Sequence, residues 1–565
     1  MSDTERLNRF IGSSPVDYQP LAQASSAARY LLRAQVGPSM VDYEEEPYEW
    51  DEARRFSFRR VMRNGLVAAL AAEYLLADAP GGGTLFTATL KVTPRFLVVW
   101  PATWLVSRGI YQRILAFARA CDEAAIEKRD VPLASSPADR GAAEKAASGL
   151  RKRHDPALVD RLVEFLCTAG DVAVRRIRPF ELADDWQRGR QELLRLCLDG
   201  VRAGLTDLHW SLICPSCRGP SESLPSLAEL EATSHCQFCE IAFDVDLDRA
   251  VEATFSPHAT LRRIDLRPYC IGGPRLKPHV VSQALFAPGV AAKLRAADVP
   301  GRYRLFVQGG ATSLVDVGES GPAQVSVPAR LPAQIEVAAG GEISVTAPEA
   351  PGHAKLERVE WEFNAATAVL VSSLPEFRAQ FGSAALRPGL VLKVGRVAIL
   401  FSDLVGSTAL YSRLGDAAAF GIVTDCLEYG RGIVERHGGT VVKTMGDAIM
   451  AVFAEPANAV EAAAETVRGW AAFQAAKPAA VALDVKLGVA AGPCTIVTAN
   501  GVLDYFGQTV NTAARVQHLA SGRQIVLTTE LAGTVPAGVS VAERFEAKVK
   551  GIDEPLKLAR LVLGG

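Results

Sequence analysis

The sequence predicts a multidomain α+β protein, and three observations point there. At 565 residues the chain is too long for one hydrophobic core and should hold about three to five domains. Most of the first 376 residues read as short strands punctuated by Pro and Gly, interrupted by amphipathic helices between 155 and 205. From 391 onward, apolar strands alternate with long amphipathic helices, the pattern of a sheet covered by helices.

Composition narrows the class. The 61 Lys and Arg against 63 Asp and Glu leave a formal charge of −2, which predicts no nucleic-acid partner and no attraction of the whole chain to an anionic membrane. Ten cysteines with one clustered set suit a reducing compartment better than a disulfide framework. The first residues lack a basic segment followed by an apolar core, so no signal peptide is expected. The most apolar early run, residues 96–106, has 11 residues, contains Pro101 and is flanked by Arg95 and Arg108. It is too short to span a bilayer, so a cytoplasmic protein with no membrane span is expected.

Between residues 14 and 128 the reading is β-rich with a closing helix. Residues 54–63 and 84–92 alternate, Glu73-Tyr74-Leu75-Leu76 leads to the turn Pro80-Gly81-Gly82-Gly83, and 109–126 has helical periodicity. Strands wrapped on a long terminal helix resemble the START-like, or polyketide-cyclase-like, α/β fold, placed at 1–130. That resemblance implies a lipophilic small molecule in an apolar cavity; a solid core without ligand is the alternative.

Residues 135–148 read as a linker. A helical, winged-helix-like segment is expected at 145–210, with amphipathic helices at 155–169 and 184–205 around Arg175-Arg176-Ile177-Arg178-Pro179. That basic run beside acidic helices is expected to be a solvated face rather than a DNA site. Next come Cys214-Pro215-Ser216-Cys217, 18 residues, and Cys236-Gln237-Phe238-Cys239. Two CxxC knuckles at this separation predict a zinc ribbon at 211–245, with Cys214, Cys217, Cys236 and Cys239 holding one structural Zn²⁺ per chain. Residues 246–376 read as a β-sandwich or small barrel, and its His258, His279 and His353 are unclustered.

Three motifs in the last third carry the chemistry. In Phe401-Ser402-Asp403-Leu404-Val405-Gly406-Ser407-Thr408, an apolar strand delivers Asp403, and Gly406, Ser407 and Thr408 open a helix whose free N–H groups suit phosphates. In Val441-Val442-Lys443-Thr444-Met445-Gly446-Asp447, a tight turn presents a second carboxylate at a hairpin tip. In the run from Asp504 to Arg515, Asn511 and Arg515 lie four apart on one helix face. Further helices are expected at 408–435, capped by Gly438-Gly439, and at 457–475, with a strand at 485–491.

These motifs resemble the catalytic domain of the class III nucleotidyl cyclases, which convert a nucleoside triphosphate to a 3′,5′-cyclic monophosphate and pyrophosphate. The resemblance covers 391–565 and implies a palm-like, ferredoxin-like fold. It further implies that Asp403 and Asp447, with Leu404 beside them, hold two Mg²⁺ or Mn²⁺ ions. Lys443 and Asp504 would read the base, Asn511 orient the ribose, Arg515 offset charge at phosphorus, and Lys550 touch the triphosphate. A Lys donor and an Asp acceptor match the edge of adenine, whereas guanine reverses that polarity, so ATP is the expected substrate. Two copies of the chain would make two shared sites in a homodimer. The region upstream resembles the N-terminal module of bacterial multidomain cyclases, implying regulation by sensory domains. A silent ligand sensor that uses the cyclase fold to dimerise, and a guanylate cyclase, are the alternatives.

Overall fold

The structure is a computed structural model. It describes residues 3–563 apart from 21–29, 37–38, 128–130, 132–134, 216–218, 237–240, 248, 265–266, 268, 271, 309–310, 329, 347–349, 360–364, 382–391, 481, 500–501 and 553.

The alternating segments near the N-terminus pair as expected. Arg55–Met62, Val67–Asp78 and Thr84–Pro94 form an antiparallel ladder, and the helix Trp100–Ile126 crosses it. Apolar residues on one face of the strands meet one face of the helix, so Tyr48, Trp50, Phe56 and Tyr74 enclose a core with Ile114 and Phe117. The helix starts nine residues before the expected 109, because Pro101 sits in its first turn, where its missing N–H costs nothing.

This sheet does not stop at a domain boundary near 130. The short strand Glu49–Asp51 pairs with Val280–Phe286, so the sheet runs on through Gly352–Arg358, Gly301–Val307, Ala311–Gly318 and Gln334–Ala338. A second sheet of Ala292–Arg295, Glu342–Val345 and Gln324–Val327 closes a sandwich over Leu294, Leu305, Val337 and Leu356. Residues 280–358 thus pack as two facing sheets. The strand Val251–Pro257 belongs elsewhere, antiparallel to Thr206–Ile213 in a three-stranded sheet.

The middle of the chain corrects three expectations. Residues 140–150 are a helix rather than linker, because Ala143, Ala147 and Leu150 are fully buried and need small or apolar side chains at helical spacing. The helix expected at 184–205 is two, Pro179–Trp186 and Arg190–Ala203, broken where Gln187 adopts a left-handed φ of 55°. The arginine run is not a solvated face. Arg176 and Arg178 both donate to Glu252, which is 1% exposed, and Arg175 donates to Glu5 at 2.8 Å. A carboxylate buried that deeply requires cations, and the arginines are those cations.

In the ribbon region, Cys214 follows one paired strand and Cys236 ends another, Thr233–Cys236, which pairs with Ile241–Asp244. The two cysteines share a small buried cluster with Phe243 and Ala250. Cys217 and Cys239 lie outside the described residues, among which no group of three or more His, Cys, Asp or Glu is placed to hold a metal.

The C-terminal unit is an eight-stranded sheet. Its order is Thr440–Met445, Ala448–Phe453, Leu392–Val405, Asp484–Ala499, Ile525–Thr528, Leu556–Leu563, Val539–Ala547, with Val502–Phe506 hairpinned onto Asp484–Ala499. Helices Asp416–Arg436 and Pro456–Ala476 cover one face. The helix expected at 408–435 is broken at Gly415, with φ of 75°, into Ser407–Leu414 and Asp416–Arg436. On the other face the helix Gln508–His518 packs beside the middle unit. Leu162, Leu193, Trp210, Phe377, Ile399 and Tyr505 share one continuous core. The wedge between the units is the pair of short helices Ala368–Ser372 and Pro375–Phe381, with Phe377 edge-on to Trp210 at 5.7 Å. No helix of the described residues is long and apolar enough to cross a membrane.

Candidate active site

Asp403 stands near the end of Leu392–Val405. Strand alternation sends the neighbouring Leu404 into the core, 7% exposed, and Asp403 to the other side. Only the backbone carbonyl of Leu404 is therefore available to a metal. The ladder with Ala448–Phe453 runs to Ser402 opposite Ile449, so one further step brings Asp403 level with Ala448, next to Asp447 in the turn. That turn closes because Gly446 takes a φ of 67°. Asp403 and Asp447 thus stand at one end of adjacent strands.

Gly406 follows at φ 94°, where a Cβ would lie 2.9 Å from the Ala482 carbonyl oxygen, so no other residue fits without strain. It caps the helix Ser407–Leu414, whose first N–H groups open beside Asp403.

Lys443 lies next to a register shift between Val441 and Lys443, an irregularity of the kind that re-aims a side chain. Its Nζ is 2.7 Å from Asp504 Oδ2 on Val502–Phe506, while Asp504 Oδ1 accepts from the Tyr505 N–H at 2.8 Å. The structure thus joins two residues 61 apart in sequence. Asn511 and Arg515 lie on one exposed face of Gln508–His518. The side chains of Asp447, Asn511 and Arg515 form no hydrogen bond or ion pair with the described residues. Lys550 is exposed in the turn between the last two strands, also without such a partner.

Two residues of this site were not legible in the sequence. Lys486 lies opposite Asp403 in the ladder with Asp484–Ala499 and holds it at 2.9 Å, and Gln517 Nε2 reaches the same carboxylate at 3.3 Å. The strand carrying Lys486 was readable, but its register against the Asp403 strand was not. A third unforeseen feature is the wedge behind the strands that carry Lys443 and Asp504. Thr440, at the start of the Lys443 strand, donates to the Ser373 carbonyl, and the Arg378 guanidinium stands 5.7 Å from the ring of Tyr505, next to Asp504. Burial pushes the Tyr505 phenol above its ordinary value.

Two carboxylates at neighbouring strand ends, a paired Lys443 and Asp504, and a helix opening after Gly406 are the features that resemble the class III nucleotidyl cyclases. Residues 391–561 match the family described as Adenylate and Guanylate cyclase catalytic domain, and this part of the chain is such a domain. Residues 141–268 match a family of unknown function (DUF5939). That span joins the helical segment, the ribbon and Val251–Pro257, which the sequence reading divided. Uncharacterized protein Rv2212 of Mycobacterium tuberculosis is 34% identical over 156 residues, 28% of this chain and 38% of that protein. An adenylate cyclase of Streptomyces coelicolor is 30% identical over 137 residues, 24% of this chain and 33% of its own length. The chain thus spans well under two thirds of these relatives. Among solved structures, the adenylyl cyclase CyaB from P. aeruginosa aligns with a TM-score of 0.29 and 22% identity, over 31% of this chain and 96% of that one.

Proposed function

We propose that the catalytic domain is an adenylate cyclase, converting ATP to 3′,5′-cyclic AMP and pyrophosphate in a homodimer under the control of the upstream domains. The observation that carries the choice of base is the Lys443–Asp504 pair, a donor and an acceptor held side by side at 2.7 Å. Lys443 donates to adenine N1, and Asp504 accepts from the exocyclic amine. Asp403 and Asp447, with the Leu404 carbonyl, offer the oxygen donors that hard divalent cations take. The Lys486 ammonium and the Gln517 amide both sit on Asp403 Oδ2, which leaves Oδ1 for a cation. Two Mg²⁺ or Mn²⁺ ions there would supply neutralisation of the entering 3′-oxygen and the leaving pyrophosphate. Gly406, Ser407 and Thr408 present N–H groups to the phosphates, and Lys550 adds a cation near them.

Asn511 and Arg515 support the homodimer. Exposed on one helix face and without partners among the described residues, they are placed to serve a site completed by a second chain, with Asn511 on the ribose and Arg515 on the charge at phosphorus. The ribbon is assigned one structural Zn²⁺ on Cys214, Cys217, Cys236 and Cys239, supported by the shared burial of Cys214 and Cys236 at the ends of paired strands. A lipophilic ligand for the START-like domain rests on the resemblance alone, because the cleft of about 1440 Å³ beside the N-terminal sheet is lined by many charged side chains, Glu52, Arg55, Arg119, Arg176 and Glu252 among them. The deciding experiment incubates the purified chain with ATP or GTP and each metal, and identifies the product by mass. Cyclic AMP is expected; cyclic GMP alone, or no cyclic product, would overturn the reading.

A further inference from the structure

We propose that residues 96–106 dock the protein on the surface of an anionic lipid bilayer. The helix Trp100–Ile126 has two unlike halves. Its later residues Ile114 and Phe117 are buried against the sheet, whereas its first turns and the short 3-10 turn Leu97–Val99 before it carry apolar side chains into solvent. Leu97 is 88% exposed, Val98 85% and Leu105 66%, and Trp100 and Trp104 are half exposed or more. Within 96–106 only Thr103 is buried. An exposed apolar cluster on this scale marks a surface that something covers.

Neighbouring turns extend the patch. The Arg95 N–H donates to the Leu66 carbonyl at 2.8 Å and Arg95 Nη2 to the Met62 carbonyl at 2.7 Å, which fixes residue 96 beside the turn that exposes Leu66. Asn64 in that turn accepts from the Asp42 N–H at 2.9 Å, bringing in the hairpin that exposes Met40. The apolar side chains therefore gather at one end of the N-terminal sheet.

Shape and charge together favour a bilayer over a protein. The exposed side chains surround the helix start instead of forming one stripe, so a flat protein surface would leave part of them in water, while a fluid headgroup layer can envelop them. Two tryptophans among Leu, Val and Phe suit the boundary between headgroups and acyl chains. From Asp78 to Asp122 the chain has no intervening carboxylate but carries Lys91, Arg95, Arg108, Arg113 and Arg119. The acidic groups on the adjacent hairpin are already matched, Asp42 by Arg33 and Glu44 by Arg63. Arg95 and Arg108 flank the apolar tip within a stretch of net basic charge, complementary to anionic headgroups, although the whole chain is nearly neutral. With 11 residues the segment lies in the interface and does not cross it.

The test is co-sedimentation of the full chain with vesicles of phosphatidylcholine alone or mixed with phosphatidylglycerol. The chain is expected to pellet with the mixed vesicles and to bind them about tenfold more tightly than the neutral ones, with the difference shrinking at high salt. Leu97→Asp with Leu105→Asp should lower binding at least about tenfold while vesicle-free cyclase activity and the melting temperature stay unchanged. Quenching of the native tryptophans by brominated lipid checks insertion in the wild-type chain without any substitution. Failure of the wild type to pellet with mixed vesicles, or undiminished binding by a folded double variant, overturns the proposal. If sedimentation velocity shows a larger species that the double variant splits, and no vesicle binding occurs, a second copy covers the patch and the proposal also falls.

Discussion

At the scale of single residues, the site rests on groups whose neighbours the structure supplies. Replacing Asp403 or Asp447 by alanine removes a proposed cation ligand but no core contact, so cyclisation should fall by about a hundredfold or more with the melting temperature little changed. Turnover near wild type in excess metal would sink the two-ion assignment. Lys443→Glu together with Asp504→Cys reverses the polarity of the proposed base-reading pair. A mismatched buried polar group costs about 1 to 3 kcal/mol, so the ratio of GTP to ATP use should rise by about tenfold or more. A ratio that does not move removes these two residues from base reading. Asp199 offers a test away from the site. Burial alone would raise its carboxyl, but His154 Nε2 at 2.8 Å and Arg153 at 3.2 Å hold it below the ordinary value. A carboxyl lowered on folding contributes stability that is complete above its unfolded value of about 4 and is lost as pH falls through the folded value. Asp199→Asn should therefore melt below wild type at neutral pH, and thermal scans should show the gap closing in acid.

At the scale of elements, the helices Ala368–Ser372 and Pro375–Phe381 connect the middle unit to the strands that carry Lys443 and Asp504. Phe377 is 2% exposed, edge-on to Trp210 and stacked on Phe381 at 5.1 Å. Phe377→Ala leaves a cavity between the two units and should cost about 3 to 5 kcal/mol. Because that cavity lies behind the strands that carry the proposed base-reading pair, the KM for the nucleotide should shift more than in a variant of equal stability loss between the two facing sheets, such as Leu305→Ala. Equal effects on KM would mean that the wedge only holds the units together. The paired strands Thr233–Cys236 and Ile241–Asp244 bury few apolar residues of their own. Zinc should therefore set their stability, and metal analysis of protein purified without chelators should return one zinc per chain. A preparation without zinc removes that assignment.

At the scale of the whole molecule, the proposed site is shared between chains. An Asp403→Ala chain and an Arg515→Ala chain are each inactive as homodimers but fail in different halves. In a mixed dimer one site collects both substitutions and the other neither. Random pairing makes about half the dimers mixed, so activity should return to about a quarter of wild type. No recovery after subunit exchange has been verified by tag pull-down would remove the homodimeric mechanism.

The sequence by itself determined the local chemistry of the catalytic domain. Strand periodicity, the turn at Gly446, the helix start at Gly406 and the four-residue spacing of Asn511 and Arg515 are all encoded within a few positions, where backbone sterics and hydrogen bonding decide the outcome. It also held the paired strands near the N-terminus. What only the tertiary structure decided depends on residues far apart in the chain. The 49–51 strand joins 280–286, merging two regions that the sequence separated into one sheet. Residues 140–150 become a helix because a core waits for Ala143 and Ala147, and three arginines are partly buried in ion pairs because Glu5 and Glu252 meet them. Lys486 reaches Asp403 through strand register, which side-chain alternation leaves open between strands. Burial and pairing across long separations are properties of the packed chain, and no local pattern carries them.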